Sequence, residues 1–138
     1  MKIVIDTNVI VSGLLSAYGA PGEIMRMVAS GALELCYDAR IINEYRVVLS
    51  RPTFKFDKNH VDYLLDVIQA CGHLVSALPL PARLPDLDDE PFLEVALAGK
   101  VKYLITGNIK HFPLKQRGHV SVVSPAMFLD IYRQNQPF

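Results

Sequence analysis

The chain has few cysteines, no net charge and no long hydrophobic run, and each absence excludes a class of protein. Its two cysteines, Cys36 and Cys71, form no CxxC pair, so the sequence predicts neither a zinc site nor a disulfide framework. Fourteen basic and fourteen acidic residues cancel, so any nucleic-acid site must be a local basic patch. With no apolar run of membrane-spanning length and no signal-peptide core, we expect a soluble, cytoplasmic protein without a membrane partner.

The chain does have enough apolar sequence for one compact domain. Of its 138 residues, 51% are hydrophobic, and we expect one domain, residues 1–138, because two halves would bury too little surface. Short β-type runs alternate with amphipathic helical stretches. This alternation predicts an α/β fold with a central, mainly parallel sheet of about five strands and helices on both faces. The expected strands are 2–5, 33–37, 74–75, 101–106 and 120–123. The expected helices are 9–15, 23–30, 38–50, 61–71, 91–98 and 125–133.

The first apolar run ends abruptly in the polar triplet Asp6-Thr7-Asn8. Ligands of parallel sheets bind just outside the carboxyl ends of the strands, so Asp6 lies where chemistry can occur. Its carboxylate could cap the following helix through backbone N–H groups, or it could hold a divalent cation together with other acids. For an isolated aspartate, capping is the simpler interpretation.

Glu44 is the second acid of interest. The helix that carries it has apolar residues at helical spacing, and Glu44 falls at the border of this stripe, beside Ile41 and Val48. From that border a carboxylate can point along the sheet towards a shared site. The alternative is a solvated flank residue that pairs with Arg40 or Arg51.

A cluster of four acids, Asp86, Asp88, Asp89 and Glu90, directly precedes a predicted helix. One or two acids at a helix N-terminus are explained by capping and by the helix dipole. Four like charges exceed that need and favour a cation that neutralises them. Asp89 is the first choice as a ligand and Glu90 the next, although the spacing does not settle which carboxylate faces the site.

A second strand end carries Thr106 and Asn108, which could hold a water or a phosphate oxygen, or could simply form a turn. Residues 100–119 contain no acid and several basic residues, Lys110 among them. Such a segment either contacts phosphates without reading the nucleotide sequence or is an ordinary solvated loop. His111 could act as a general acid, but a structural or exposed histidine is the simpler interpretation.

These signals agree in position, because each lies at a strand end or on a neighbouring helix. Magnesium and manganese bind oxygen ligands and keep several waters. A few acids around one cleft therefore suffice to hold a cation that activates water for phosphodiester cleavage. The residues predict a metal-dependent phosphodiesterase.

Four motifs spread along the chain carry a family resemblance. They are Asp6-Thr7-Asn8-Val9 with Ser12, Asn43-Glu44-Tyr45 continuing to Leu49-Ser50-Arg51-Pro52, Asp88-Asp89 with Pro91-Phe92-Leu93-Glu94, and Thr106-Gly107-Asn108. At these motifs the sequence resembles the PIN-domain nucleases, and more closely the branch related to VapC-type toxins of toxin–antitoxin pairs.

The resemblance implies a three-layer α/β/α sandwich that cleaves RNA with magnesium or manganese, often as a homodimer silenced by a cognate antitoxin. It puts Asp6, Glu44 and Asp89 at the metal positions. Many PIN domains have a fourth acid where this chain has Asn108, a loss for which Glu90 or Asp88 could compensate. The expected catalytic residues are Asp6, Glu44, Asp89 and Asn108, the expected metal ligands are Asp6, Glu44, Asp89 and Glu90, and the expected substrate-binding residues are Thr7, Asn8, Ser12, Thr106 and Lys110.

Two alternatives stay open. Asn108 favours a catalytically weak module that kept the fold and binds RNA or an antitoxin. A phosphatase of the haloacid dehalogenase type also begins with an aspartate after its first strand. That chemistry requires a second aspartate two residues later, where this chain has Asn8, so the phosphatase ranks last.

Overall fold

In the computed structural model, which describes residues 1–136, five strands form one sheet in which every neighbouring pair is parallel. The sheet order is β3-β2-β1-β4-β5. The predicted α/β class and five-stranded parallel sheet are confirmed. The domain predicted for 1–138 includes residues 137 and 138, which lie outside the described part. The strands are β1 (Lys2–Ile5), β2 (Glu34–Tyr37), β3 (His73–Leu74), β4 (Tyr103–Ile105) and β5 (Ser121–Val123).

Polar side chains begin several helices by accepting hydrogen bonds from free backbone N–H groups. Asp38 accepts from the N–H of Ile41 at 3.1 Å. Asp57 accepts from Asn59 at 2.8 Å, which starts the fourth helix three residues before the predicted bound of 61. The helices are α1 (Thr7–Leu15), α2 (Ala20–Ala29), α3 (Ala39–Leu49), α4 (Lys58–Cys71), α5 (Glu90–Ala98) and α6 (Pro125–Gln134), and short 3-10 turns span Pro52–Phe54, Leu87–Asp89, Ile109–His111 and Leu114–Gln116.

The chain reverses its direction of travel across the sheet after β3. It first builds outwards from β1 through β2 to β3, and then returns to place β4 on the other side of β1. Because parallel connections are right-handed, the return puts α5 on the face opposite the first helices, which gives three layers. A crevice forms where strand order reverses, outside the carboxyl ends of β1 and β4, and ligands of α/β sheets bind at such a point.

The strands that flank this crevice are buried on both faces. Ile3, Val4 and Ile5 of β1 are fully buried, as are Leu104 and Ile105 of β4. This explains why these strands are almost continuously apolar rather than alternating. Within the described residues, we find no helix that is long and apolar enough to cross a membrane.

A proline-rich connection leads from β3 to α5, and two glutamates one helical turn apart on α5 hold it. Glu94 accepts a hydrogen bond from the N–H of Leu80 at 3.0 Å, and its other oxygen pairs with Arg40. Glu90 accepts from the N–H of Leu84 at 3.0 Å. These contacts satisfy the carboxylates and fix the path of the chain just before the acidic cluster.

Candidate functional site

Asp6 lies at the carboxyl end of β1 and is 6% exposed. Its Oδ1 accepts from the N–H of Thr7 at 2.8 Å, so Asp6 caps α1, as the simpler interpretation held. Its Oδ2 accepts from the hydroxyl of Thr106, at the end of β4, at 2.8 Å. One carboxylate therefore bridges the two strands that form the crevice, which helix capping alone does not require.

Glu44 faces the same crevice from α3. Its Oε2 accepts a hydrogen bond from the hydroxyl of Thr7. The next residue, Tyr45, is fully buried and donates its hydroxyl hydrogen to the carbonyl of Ile5, which ties α3 to the end of β1. Of the two arginines that the sequence offers as partners for Glu44, Arg40 instead pairs with Asp38 and Glu94. The charge of Arg51 acts on Glu44 and lowers its pKa.

A third group lies where the acidic cluster meets the turn after β4. Asp89 is 8% exposed, and its Oδ2 lies 3.0 Å from Nδ1 of His111. Asp86 joins them, so that one ligand atom from each of the three residues lies within 4.8 Å of the others. Asp86 also accepts from the N–H of Asp88 at 2.9 Å, which shapes the turn that presents Asp89.

Burial is the main cause of the raised pKa values of these carboxylates, and the charges of neighbouring acids add to it. Burial, followed by the charges of Asp6 and Asp86, raises the pKa of Asp89 to about 6. Burial also raises the pKa of Asp6 and of Glu44, although their hydrogen bonds to threonine hydroxyls act in the opposite direction. The negative charge of Asp6 is a further cause of the raised pKa of Glu44. A cation placed among these groups would relieve the repulsion.

The structure does not bring Glu90 into this group. Its carboxylate points to the proline-rich connection, where the Leu84 N–H and the Arg83 guanidinium, at 2.8 Å, hold the pKa of Glu90 below its usual value. Asp88 is exposed and lies near enough to contribute to the raised pKa of Glu44. Of the four clustered acids, Asp86 and Asp89 come together with His111.

Thr7 and Thr106 are buried, and their hydroxyls are bonded to Glu44 and Asp6 respectively. The Thr106 oxygen also accepts from the N–H of Asn108 at 3.0 Å, so the turn expected from the sequence is present together with the link to Asp6. Asn108 itself is exposed.

Asn8 and Ser12 lie one helical turn apart on α1. Ser12 is exposed, whereas Asn8 is half-buried against Gly107. A side-chain oxygen of Asn8, Oδ1, is buried and has no hydrogen-bond partner among residues 1–136. Buried polar atoms are usually bonded, so this amide has capacity left to bind a ligand.

The basic segment 100–119 is divided between the two ends of the sheet. Lys102 precedes β4, which has only three residues, and so lies at the end of the sheet opposite the acids. Arg117 donates to the backbone carbonyl of Phe112 at 2.6 Å and thereby braces a turn. Lys110 borders the site, in a groove of about 330 Å³ lined by residues 107–111.

Comparison with known proteins identifies the family. The sequence matches the PIN domain over residues 2–110. The chain belongs to the PIN domain family. It is also 25% identical to an uncharacterized protein, MJ1680, of Methanocaldococcus jannaschii, in an alignment that covers 97% of this chain and 93% of that protein.

PIN domains are generally metal-dependent nucleases, and the residues of this PIN domain fit a divalent cation. Several carboxylates with raised pKa values converge on one crevice. Oxygen donors suit magnesium and manganese, and an imidazole nitrogen suits transition ions. The donor set therefore fits the metal that the family uses.

Sequence reasoning missed three contributors to this PIN-domain site. Asp86 is among the clustered acids of the sequence analysis and His111 is considered there as a general acid, but neither is an expected metal ligand, since the connection that brings Asp86 to His111 leaves no periodic signal. The third is Tyr45, whose bond to the carbonyl of Ile5 holds α3 in place. A tyrosine next to a candidate acid, on a buried helix face, is the signal that could have indicated such a contact.

Proposed function

We propose that this PIN domain is a metal-dependent endoribonuclease that hydrolyses RNA phosphodiester bonds. The observation that carries the proposal is the placement of Asp6, Glu44 and Asp89. These acids come from three distant parts of the chain, yet the charge of Asp6 is a cause of the raised pKa of both Glu44 and Asp89, at the switch point of the sheet. Asp6 and Glu44 are held by threonine hydroxyls rather than by the basic partners that a structural ion pair would supply, and Asp89 pairs with His111.

In the proposed site, Asp6, Glu44 and Asp89 hold magnesium or manganese. The bound cation supplies a Lewis acid that polarises the phosphodiester and makes water a stronger acid. Thr7 and Thr106 hold the carboxylates of Glu44 and Asp6 in place.

In this proposal, RNA binds at the rim of the crevice. Asn108 and Lys110 border the groove beside the acids and would contact the RNA backbone. The half-buried Asn8 side chain and the exposed Ser12 hydroxyl lie on one face of α1 and would offer further polar contacts to the RNA.

The test is cleavage of end-labelled single-stranded and structured RNA by the purified protein, with manganese, magnesium or chelator. Asp6→Asn keeps the shape of the side chain but removes its charge, and we expect cleavage to fall by more than about 100-fold. Asp66→Asn is the matched control, because Asp66 is exposed on α4. Cleavage that survives the chelator, or that Asp6→Asn retains, would overturn the proposal.

A second candidate function is an RNA-binding module with little catalysis. The observation that favours it is Asn108, an exposed amide at the position where many PIN domains carry an acid. This candidate predicts RNA that binds and stays intact, together with weak metal binding. If manganese binds tightly and the RNA still stays intact, the RNAs tested lack the sequence that the enzyme cleaves.

The phosphatase alternative predicts phosphate release from a simple phosphomonoester. That reaction needs an acid at position 8, which the Asn8 amide does not supply.

We further propose that the protein is the toxin of a toxin–antitoxin pair, acting in the cytoplasm as a homodimer under a cognate antitoxin. The support is the resemblance of the four motifs to VapC-type toxins. If this is right, a small open reading frame beside the gene encodes a protein that binds this chain and stops its RNA cleavage. Purification from the native host without any partner would count against the antitoxin, and a monomeric mass in solution would count against the dimer.

A further inference from the structure

His111 is built into the acidic crevice by its own turn. The 3-10 turn Ile109–His111 is closed by a hydrogen bond from the N–H of His111 to the carbonyl of Asn108 at 3.0 Å. The next residue, Phe112, is fully buried and anchors the turn. Arg117 donates to the carbonyls of Phe112 and Ile109 from the other side. These contacts hold the backbone of the turn, and the half-exposed imidazole contacts Asp89 from it.

The spacing of the donors suits coordination by a single ion. Two adjacent ligands of an octahedral ion, with bonds of about 2.1 Å, lie about 3.0 Å apart, and opposite ligands lie about 4.2 Å apart. Nδ1 of His111 lies 3.0 Å from Oδ2 of Asp89. The donor atoms of Asp86, Asp89 and His111 all lie within 4.8 Å of one another. No large movement is needed for all three to reach one ion.

We propose that His111 is a nitrogen ligand of the divalent cation, together with Asp86 and Asp89, and that it makes the site prefer manganese to magnesium. The inference rests on the metal site of the proposed function and adds to it two ligands, His111 and Asp86, and a selectivity. Magnesium strongly favours oxygen donors, whereas manganese and later transition ions accept imidazole. The imidazole also adds a ligand to a site that lacks a fourth acid, because this chain has Asn108 where many PIN domains have that acid.

The test compares metal binding by the full-length wild-type protein, His111→Gln and His119→Gln. His119 is the matched control, because it is an exposed histidine of the same basic segment. With bound manganese, pulsed electron paramagnetic resonance should show nitrogen hyperfine coupling in the wild type and in His119→Gln, and none in His111→Gln. Calorimetry should show that His111→Gln weakens manganese binding about tenfold or more and magnesium binding less than about threefold.

A further variant, His111→Asp, offers an oxygen in place of the nitrogen and should narrow the difference in affinity between the two metals. An unchanged manganese affinity in His111→Gln, with no nitrogen coupling in the wild type, would overturn the inference and leave His111 as a hydrogen-bond partner of Asp89. The nuclease proposal would survive that result. A wild-type protein that binds neither metal would overturn both.

Discussion

The hydroxyl group of Thr106 donates a hydrogen bond to Oδ2 of Asp6 at 2.8 Å and so joins residues that are 100 positions apart in the chain. The donor is fully buried, and the same oxygen accepts from the N–H of Asn108. Thr106 thus fixes the direction of the Asp6 carboxylate and the start of the turn that carries Lys110 and His111.

Thr106→Val keeps the shape of the side chain and removes both hydrogen bonds. Leaving the buried Asp6 oxygen without this donor should cost about 1–3 kcal/mol of unfolding free energy. Loss of the fixed orientation should weaken manganese binding about tenfold. Urea unfolding and calorimetric titration measure the two effects. Thr53→Val, at an exposed threonine, is the control, and a Thr106→Val protein with normal metal affinity would show that Thr106 does not position Asp6.

The raised pKa of Asp89 predicts how the metal-free protein responds to pH. Because the folded-state pKa, about 6, lies above the usual value of 3.8, the folded state favours the protonated acid. The stability that this contributes is complete below about pH 4 and is lost as the pH rises through 6. Asp6 and Glu44, whose pKa values are also raised, act in the same direction. Urea unfolding in chelator should show this decline, and Asp89→Asn should flatten it; an equal slope in both proteins would contradict the prediction.

The same titration governs metal binding in the opposite direction. At pH 5 a cation must displace the proton of Asp89, so we expect the affinity for manganese to rise between pH 5 and pH 7. Manganese binding should release fewer protons at pH 7 than at pH 5. Calorimetry in buffers of different ionisation enthalpy counts the released protons. An affinity independent of pH over this interval would mean that Asp89 is not a ligand.

Glu90→Gln separates a metal ligand from a structural carboxylate. Glu90 is bonded to Arg83 and to the N–H of Leu84, so the variant should lower the midpoint of thermal unfolding while manganese affinity stays within about twofold. Glu23→Gln, which weakens a more exposed pair with Arg133, is the control for a surface ion pair. Normal stability with lost metal binding would restore Glu90 to the ligand set expected from the sequence.

Lys110→Ala tests which part of the basic segment meets RNA. Since Lys110 borders the acids, its removal should weaken RNA binding for all sequences and reduce the slope of log affinity against log salt by about one. Lys102→Ala, at the opposite end of β4, should change neither quantity. Filter binding over a series of salt concentrations measures both, and equal losses in the two variants would mean that RNA covers the whole segment.

The sheet and the first two acids could be predicted because their signals are local. A buried strand that ends in Asp6, and a helix whose apolar spacing puts Glu44 at its border, each need only a few neighbouring residues. The position of Glu90 could not be predicted. Adjacent residues at a helix start point in different directions, and the partners of Glu90, Arg83 and Leu84, lie on a connection without periodicity.

The contact between His111 and Asp89 could not be predicted either, because the two residues belong to distant segments of the chain. Asp89 precedes α5 and His111 follows β4, and their contact depends on β4 joining β1. The composition of residues 100–119 indicates a basic segment around Lys110. It does not indicate that β4, a strand of three residues, separates the basic residues at one end of the sheet from those at the other. Local signals locate single residues, whereas distant contacts decide what they do together.

The position of β4 beside β1 has a consequence for synthesis on the ribosome. β1 emerges first and can pair with β2, but its other edge stays open until Tyr103–Ile105 has been made and has left the exit tunnel. Only then can Thr106 reach Asp6 and His111 reach Asp89. The side chains of the site, which come from both sides of β1, are therefore brought together only after most of the chain has been made.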